Sequence, residues 1–254
     1  NIFVESTGVP QLTVPQLSEY TISFTTLKEQ QKIGLFFQIL DHTHTLQQRK
    51  LELLKQLKQA YLQKCFPSNN TGFPIFRFNS FFKKWDKTKL SSVTIVTKGI
   101  QINKTNLSEL KTYENHFPVY NGGKLPSGYT NKSNRKNKIM ISEGGNCGYV
   151  NFFEGEFWSG GHNYTIDEKD IYLFFLKSLL EFNQEQLYTL GTGTGLKNIN
   201  KEAINNFEIE ISCKEEQIII GQFFKNLDTQ IEIQTQIIAK VSDLKKAYLQ
   251  KMFI

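Results

Sequence analysis

Counted in alternating steps of four and three, the C-terminal stretch places Ile220, Phe224, Leu227, Ile231, Gln234, Ile238, Val241, Lys245, Tyr248 and Met252 on one stripe of a helix. An earlier stretch does the same with Ile33, Phe37, Leu40, His44, Gln47, Leu51, Leu54, Lys58, Tyr61 and Cys65. A stripe held at this spacing over more than four heptads predicts a coiled coil, because a period near 3.5 keeps one face turned toward a partner helix. Gln47 matches Gln234 and Lys58 matches Lys245, and buried polar groups of this kind cost stability while fixing register. A helix of about 35 residues would be roughly 50 Å long. Two such helices matching in phase and length disfavour the alternative of amphipathic helices lying on a globular core.

The match is a duplication. Leu27-Lys-Glu-Gln-Gln-Lys-Ile-Gly-Leu-Phe-Phe-Gln-Ile-Leu-Asp41 aligns with Lys214-Glu-Glu-Gln-Ile-Ile-Ile-Gly-Gln-Phe-Phe-Lys-Asn-Leu-Asp228, and Ala60-Tyr-Leu-Gln-Lys-Cys-Phe66 with Ala247-Tyr-Leu-Gln-Lys-Met-Phe253. The glycines at 34 and 221 and the tyrosines at 61 and 248 stand the same 187 residues apart, so the alignment has no gap. It extends upstream, with Ser6-Thr7-Gly8 opposite Gly193-Thr194-Gly195 and Tyr20-Thr-Ile22 opposite Phe207-Glu-Ile209. Each copy therefore reads as a strand-rich tail leading into a long helix.

Between the copies, Pro67 ends the first helix and opens a turn-rich linker over 67–80. Residues 81–211 then alternate short apolar runs with glycine and asparagine. Val93–Thr97, Lys138–Ser142 and Tyr149–Phe153 read as strands, and Asp170–Phe182 as a helix, with Asp167, Glu168 and Asp170 read as an N-terminal charge cluster rather than an acid pair. The expected class is α+β: one mixed α/β domain, with long helices at 27–66 and 212–254.

Glycine then narrows the function. Tyr120-Asn-Gly-Gly-Lys124, Glu143-Gly-Gly-Asn-Cys-Gly148, Ser159-Gly-Gly-His162 and Gly191-Thr-Gly-Thr-Gly195 are four Gly-rich turns in one domain, a pattern suited to loops that meet something large and flat. Between the first two lies the basic and amide run Thr130-Asn-Lys-Ser-Asn-Arg-Lys-Asn-Lys138, read either as a phosphate- and base-contacting segment or as a solvated loop. None of the glycine clusters has the lysine-serine pair or the strand-to-helix setting of a nucleotide-binding loop. A net charge of +6, from 30 basic and 24 acidic residues, with a pI near 9.0, is compatible with a polyanionic partner without requiring one.

The three cysteines, Cys65, Cys147 and Cys213, lack paired spacing, which fits a reducing cytoplasm and no metal site. No apolar run is long enough for a membrane span, and the start at Asn1 without methionine points to residues removed upstream. Catalytic sets are not assembled. His42 and His44 read as surface or seam residues, His116 as a loop residue, and only His162, beside glycines and aromatics, is suited to base or phosphate contact.

The order of tail, long helix ending Tyr-Leu-Gln-Lys-Cys-Phe66, linker with Phe76-Arg-Phe and Trp85, mixed domain, second tail and second matching helix resembles the specificity subunit of type I restriction-modification systems. Pro118-Val-Tyr-Asn-Gly-Gly, Ser142-Glu-Gly-Gly-Asn-Cys-Gly-Tyr-Val-Asn and Phe157-Trp-Ser look like the body of that family's target-recognition domain. The resemblance implies a non-catalytic DNA reader at 81–211. It also implies an antiparallel coiled coil of two conserved helices that space readers and dock modification (methyltransferase) subunits, with a restriction (ATPase and nuclease) subunit joining through the complex. S-adenosylmethionine, ATP and magnesium would bind those partners and not this chain. A complete member has a full reader before the first helix, whereas residues 1–26 resemble only its tail. The chain is then either a fragment reading one half of a bipartite site or a half-length subunit that forms a homodimer through its helices. The candidate DNA contacts are Tyr120, Asn121, Lys124, Lys132, Arg135, Lys136, Asn146, Tyr149, His162 and Lys197. Two rival readings are a coiled-coil scaffold with no DNA specificity and a stand-alone nuclease or methyltransferase, the latter disfavoured by the missing motifs.

Overall fold

A computed structural model describes residues 13–68, 71–78 and 81–253. A short helix α1 (Val14–Ser18), capped by Thr13, precedes the 39-residue helix α2 (Leu27–Cys65). The mixed region then runs β1 (Asp86–Lys89), α3 (Leu90–Val93), β2 (Thr94–Lys98), β3 (Phe117–Tyr120), β4 (Gly128–Thr130), β5 (Arg135–Ser142), β6 (Val150–Ser159) and β7 (Asn163–Glu168). It continues through α4 (Leu173–Phe182), α5 (Gln184–Thr189), α6 (Lys201–Asn205) and β8 (Glu208–Ile211) into the second 39-residue helix, α7 (Lys214–Met252).

The chain divides into two compact units, 1–49 with 236–254, and 50–235, so each long helix contributes a part to both. In the first unit the Phe36 ring meets Tyr248 edge-on at 4.9 Å, Phe37 lies 6.0 Å from Phe253, and Lys245 pairs with Asp41. In the second, Tyr61 meets Phe223 edge-on at 4.9 Å, Phe66 stacks on Phe224 at 5.8 Å, and Lys58 pairs with Asp228 at 2.7 Å. Shifted by the repeat interval, these are the same three contacts with the partners exchanged, and in both units α2 and α7 run antiparallel. Along α2 the residues on the four-three stripe, Ile33 through Cys65, are all partly or fully withdrawn from solvent. On α7 the same holds from Ile220 to Tyr248, with Gln234 only 2% exposed, while Met252 is exposed. The polar seam positions Lys58 and Lys245 are thereby explained: each is the cationic half of a cross-helix ion pair.

In the second unit six strands form one mixed sheet in the order β2-β7-β5-β6-β3-β4, parallel only between β3 and β6. Helix α4 is apolar almost all round and sits between that sheet and the long helices, burying Phe175, Leu176, Leu179 and Leu180. Its core is continuous with Leu62, Cys65 and Phe66 of α2, Ile220 and Phe224 of α7, and Trp85 beyond the linker. Linker residue Arg77 donates through Nε and Nη2 to both carboxylate oxygens of the fully buried Glu216, at 2.8 and 2.7 Å. Gln217 beside it accepts from the Tyr172 N–H and donates to the Ser212 carbonyl, which ties the first turn of α7 to the entry of α4.

Two expectations are corrected. The tail before α7 holds strand β8, paired antiparallel with β1, but Tyr20–Ile22 before α2 form no strand and are exposed. A strand needs a partner for its amides and carbonyls, and the first tail has none among the described residues; Ser6-Thr7-Gly8 lie outside them. Asp167 and Glu168 do not cap a helix: they end β7, where Lys138 of β5 pairs with both, at 2.9 and 3.3 Å. The alternation Tyr164-Thr-Ile166 simply continues through them, and α4 starts only at Leu173.

The repeat-equivalent glycines give a paired prediction. A Cβ on Gly221 would lie 2.6 Å from the Phe175 backbone nitrogen and from the Tyr172 ring, whereas one on Gly34 would meet nothing within 4 Å. Gly221→Ala is expected to destabilise the chain by at least about 1–3 kcal/mol through overpacking. Gly34→Ala is expected to stabilise it by about 0.5–1 kcal/mol by removing helix-interior glycine. Denaturant titration of both variants checks the opposite signs. A second prediction concerns the thiols. Burial pushes Cys65 up to about 12 and raises Cys147 against an opposing effect of Lys197, while Cys213 is exposed. Under native conditions at neutral pH an alkylating reagent should therefore modify Cys213 alone, with the other two reacting only on unfolding; mass mapping of the modified peptides reads this out.

Candidate nucleic-acid interface

The four Gly-rich turns belong to different connections, yet the fold brings them to one place. Asn163, fully buried at the start of β7, donates from Nδ2 to the Tyr120 carbonyl at 2.6 Å and accepts from the Gly122 N–H at 3.1 Å. Asn121 accepts from the His162 N–H at 3.1 Å, and Glu143 N–H donates to the His162 carbonyl at 2.8 Å. The last turn is closed by a Thr192–Asn198 bridge and joined to the second by Ile199 N–H donating to the Glu143 carbonyl. Glycine is required where the loops touch. A Cβ on Gly160 would fall 2.5 Å from Asn121 Oδ1, and Gly122 has a φ of +85° with Gly144 O at 2.8 Å from its Cβ position. The glycines thus serve first to pack the turns on one another.

The charged and aromatic side chains of these turns divide by environment. Lys124 is exposed with Nζ 5.0 Å from the centre of the Tyr149 ring, and Lys197 is exposed with Nζ 4.7 Å from that of Tyr188. Both rings line a hollow of about 460 Å³ floored by Cys147. Asn146 is exposed, held through its N–H on the Gly122 carbonyl. His162 is open to solvent, with Nδ1 3.7 Å from Glu143 Oε2. Glu143 also accepts from Lys98 at 2.7 Å and from the Tyr164 hydroxyl at 3.0 Å. Burial, and then the neighbouring Glu143 carboxylate, push that hydroxyl up to about 12, so it remains a donor.

Other candidates are placed differently. Tyr120 is only 8% exposed, its ring packed with Phe153 and Phe157 in a small second core, so it supports the turns from beneath. The run 130–138 is not a free loop, because its second half is strand β5, with a bulge at Asn137 whose left-handed φ of +50° asparagine tolerates. Arg135 is half-buried, donating to Thr165 Oγ1 at 3.0 Å and the Asn134 carbonyl at 2.7 Å. Lys136 is exposed and stands opposite Glu156 of β6. Lys132 is exposed in a separate hollow of about 620 Å³, shared with residues 100–103, residues 105–108 and Trp158. That segment, together with Lys98 and Tyr188, does not stand out in the sequence, since it carries no glycine pair and is mostly polar.

His116 lies off the cluster, its ring against Phe117 and Nδ1 3.1 Å from the Tyr113 carbonyl. Among the described residues no group of histidines, cysteines and carboxylates is placed to hold a metal ion, and no helix is long and apolar enough to cross a membrane.

Comparison with known proteins places this geometry. The sequence profile of the type I restriction modification DNA specificity domain matches residues 77–243. A curated protein of Mycoplasma genitalium, named as a type I specificity subunit, is 32% identical over 174 residues, which are 66% of this chain and 44% of that protein. The crystal structure of a type I restriction-modification S subunit from M. genitalium superposes with a TM-score of 0.64 at 28% identity, covering 75% of this chain and 48% of that one. The HsdS subunit of Thermoanaerobacter tengcongensis shares the fold over 98% of this chain and 64% of its own, with a TM-score of 0.56 at 19% identity. The chain thus spans less than half the length of the M. genitalium proteins it matches. With two thirds of it covered by one profile, this chain belongs to the family of type I restriction modification DNA specificity domains.

Proposed function

We propose that residues 81–211 are a target-recognition domain that reads one half of a bipartite DNA site and that the chain performs no chemistry itself. The observation carrying this reading is the convergence of four Gly-rich turns from separate connections, with Lys124, Lys197 and His162 exposed around them. A rigid backbone edge rimmed by cations suits a duplex, whose phosphates position the protein while base edges specify the sequence. Of the sequence candidates, Asn121, Lys124, Lys132, Lys136, Asn146, Tyr149, His162 and Lys197 form the proposed contact set; Tyr120 and Arg135 position it. Adenine methylation and ATP-driven cleavage, with their S-adenosylmethionine, ATP and magnesium, belong in this reading to modification and restriction subunits.

The helices supply two further surfaces. Glu216, Gln217, Ile220 and Phe224 are buried under α4 and the linker, but their repeat equivalents Glu29 and Gln30 are exposed and Ile33 and Phe37 half-buried. We read the first copy as the seat of a second reader, supplied by a longer chain or by a second copy of this one. Leu35, Ile39 and Leu46 follow a heptad-like spacing on the outside of α2 and are 54–56% exposed, which supports docking of a modification subunit there.

Replacing Lys124, Lys132 and Lys197 with glutamine should weaken binding to every duplex alike and lower the slope of log affinity against log salt by about one for each phosphate no longer neutralised. Unchanged affinity and slope in fluorescence anisotropy titrations would remove these three lysines from the footprint. Charge introduced on the helix, as Leu35→Lys with Ile39→Lys, should abolish co-purification with the modification subunit while leaving DNA affinity of the chain alone unaltered; persistence of the complex would place the docking surface elsewhere.

A further inference from the structure

Several asparagines and glutamines of the reader are committed to holding its own backbone. Asn134 bonds both ways with Ser159, Asn163 ties Tyr120 to Gly122, Asn137 accepts from the Gly155 N–H, and Gln184 clamps Val150 and Gly148. One group differs. Among the described residues Asn103, Asn106 and Asn131 are exposed and make no side-chain hydrogen bond, and Gln101 makes only a long one, 3.4 Å, to the neighbouring carbonyl of Ile102. All four line the hollow that contains Lys132 and Trp158.

The backbone carrying these amides is fixed at both ends. At the start, Ile100 N–H donates to the Ser159 carbonyl at 2.8 Å while the Trp158 indole donates back to the Ile100 carbonyl at 2.8 Å. At the end, Ser108 and Tyr129 exchange two backbone bonds of 2.8 Å. Between them a 3-10 turn at Lys104–Asn106 is closed by Asn106 N–H to Asn103 O and Leu107 N–H to Lys104 O. Asn131 and Lys132 follow directly from β4, the strand that carries Tyr129. The start of the loop also abuts the Gly-rich edge, since a Cβ on Gly161 would lie 2.6 Å from Gln101 Oε1 and one on Gly99 would lie 2.1 Å from Gly160 O.

We infer that Gln101, Asn103, Asn106 and Asn131 are specificity-determining residues, reading base edges of the duplex held by the Gly-rich turns, with Lys104 and Lys132 on the flanking phosphates. The inference rests on the DNA-reading function proposed above. An amide presents a donor and an acceptor side by side and matches the N6 and N7 pair of adenine in the major groove. A preorganised backbone with uncommitted side chains loses little entropy and breaks no internal bond when those side chains engage. The recognised half-site should therefore contain A·T pairs under this loop.

The test is binding selection from a pool of randomised duplexes, run with the full chain together with its modification subunit, for the unmodified protein and for N103A/N106A/N131A. Because these side chains hold nothing in the fold, the variant should melt at the same temperature. It is expected to lose roughly 5- to 150-fold of discrimination for each A·T pair no longer read, while its affinity for unselected duplex and its salt slope stay the same. A variant that selects the unmodified protein's site with equal discrimination overturns the inference and leaves DNA reading intact. If the unmodified protein itself selects no sequence, the proposed function fails and the inference fails with it.

Discussion

The structure depends on how the sheet-bearing part of the chain is fastened to the paired helices. Phe66 of α2 and Phe224 of α7 stack on each other, and Phe175 and Phe182 of α4 close over Phe66 at 5.6 and 5.5 Å, with Trp85 edge-on at 5.9 Å. Around this apolar junction Lys58, Lys177, Asp228 and Glu181 form an alternating set of ion pairs linking α2, α4 and α7. Burial alone would lower the Lys177 ammonium, but Glu181 and Asp228 outweigh it and hold the group above its ordinary value. Such a network adds little stability over an apolar equivalent. Its contribution is to define one register, since sliding α4 along the helices would leave charges buried without partners. The DNA-reading role proposed for this domain would need that definition more than additional burial.

The duplicated helix shows how one sequence element serves two environments. The cross-helix contacts repeat with partners exchanged, so the same positions of the repeated sequence pair in each unit. Even the local caps recur: Gln30 donates to the Thr25 carbonyl at 2.6 Å as Gln217 does to that of Ser212 at 2.8 Å. What differs is the outer face. Around α7 the Glu-Gln-x-x-Ile-Gly-x-x-Phe sequence is filled by Arg77, Tyr172 and Phe175, and Gly221 has no room for a side chain. Around α2 the same sequence keeps its glycine at position 34 with open space beside it. Helix propensity would favour alanine at that position. The open space beside Gly34 leaves room for the second reader proposed above.

Much of the fold is legible in the residues alone, and the reasons are physical. The seam is readable because a heptad period constrains many positions at once, and the in-phase duplication doubles the signal. Strands β2, β5 and β6 and helix α4 are readable from short apolar runs bounded by glycine and asparagine. The first tail misleads because strand formation depends on a partner, which similarity to a paired segment cannot supply. Asp167 and Glu168 mislead because their role is set by Lys138 on a neighbouring strand. In the candidate interface, proximity of the four glycine turns follows from topology that spacing does not encode. Arg135 and Tyr120 look like contacts by residue type, but are committed to Thr165 and to the Phe153–Phe157 core.

The same distinction between committed and uncommitted groups explains how the domain can be both rigid and changeable. Glycines and bonded asparagines fix the turns through backbone contacts, so the edge keeps its shape regardless of which side chains project from the adjoining 100–108 segment. That segment is held through main-chain bonds at Ile100, Ser108 and Tyr129 and through the Trp158 indole. Substitutions at Asn103 or Asn106 therefore cost the fold almost nothing, because no internal side-chain hydrogen bond passes through them. Substitutions at Asn163, or at Asn134 with its paired bonds to Ser159, would instead leave buried carbonyls and amides unsatisfied, at a cost of about 1–3 kcal/mol for each group. A scaffold partitioned in this way can alter its proposed DNA-facing surface without renegotiating its core, and the junction with α2 and α7 stays in register while it does so.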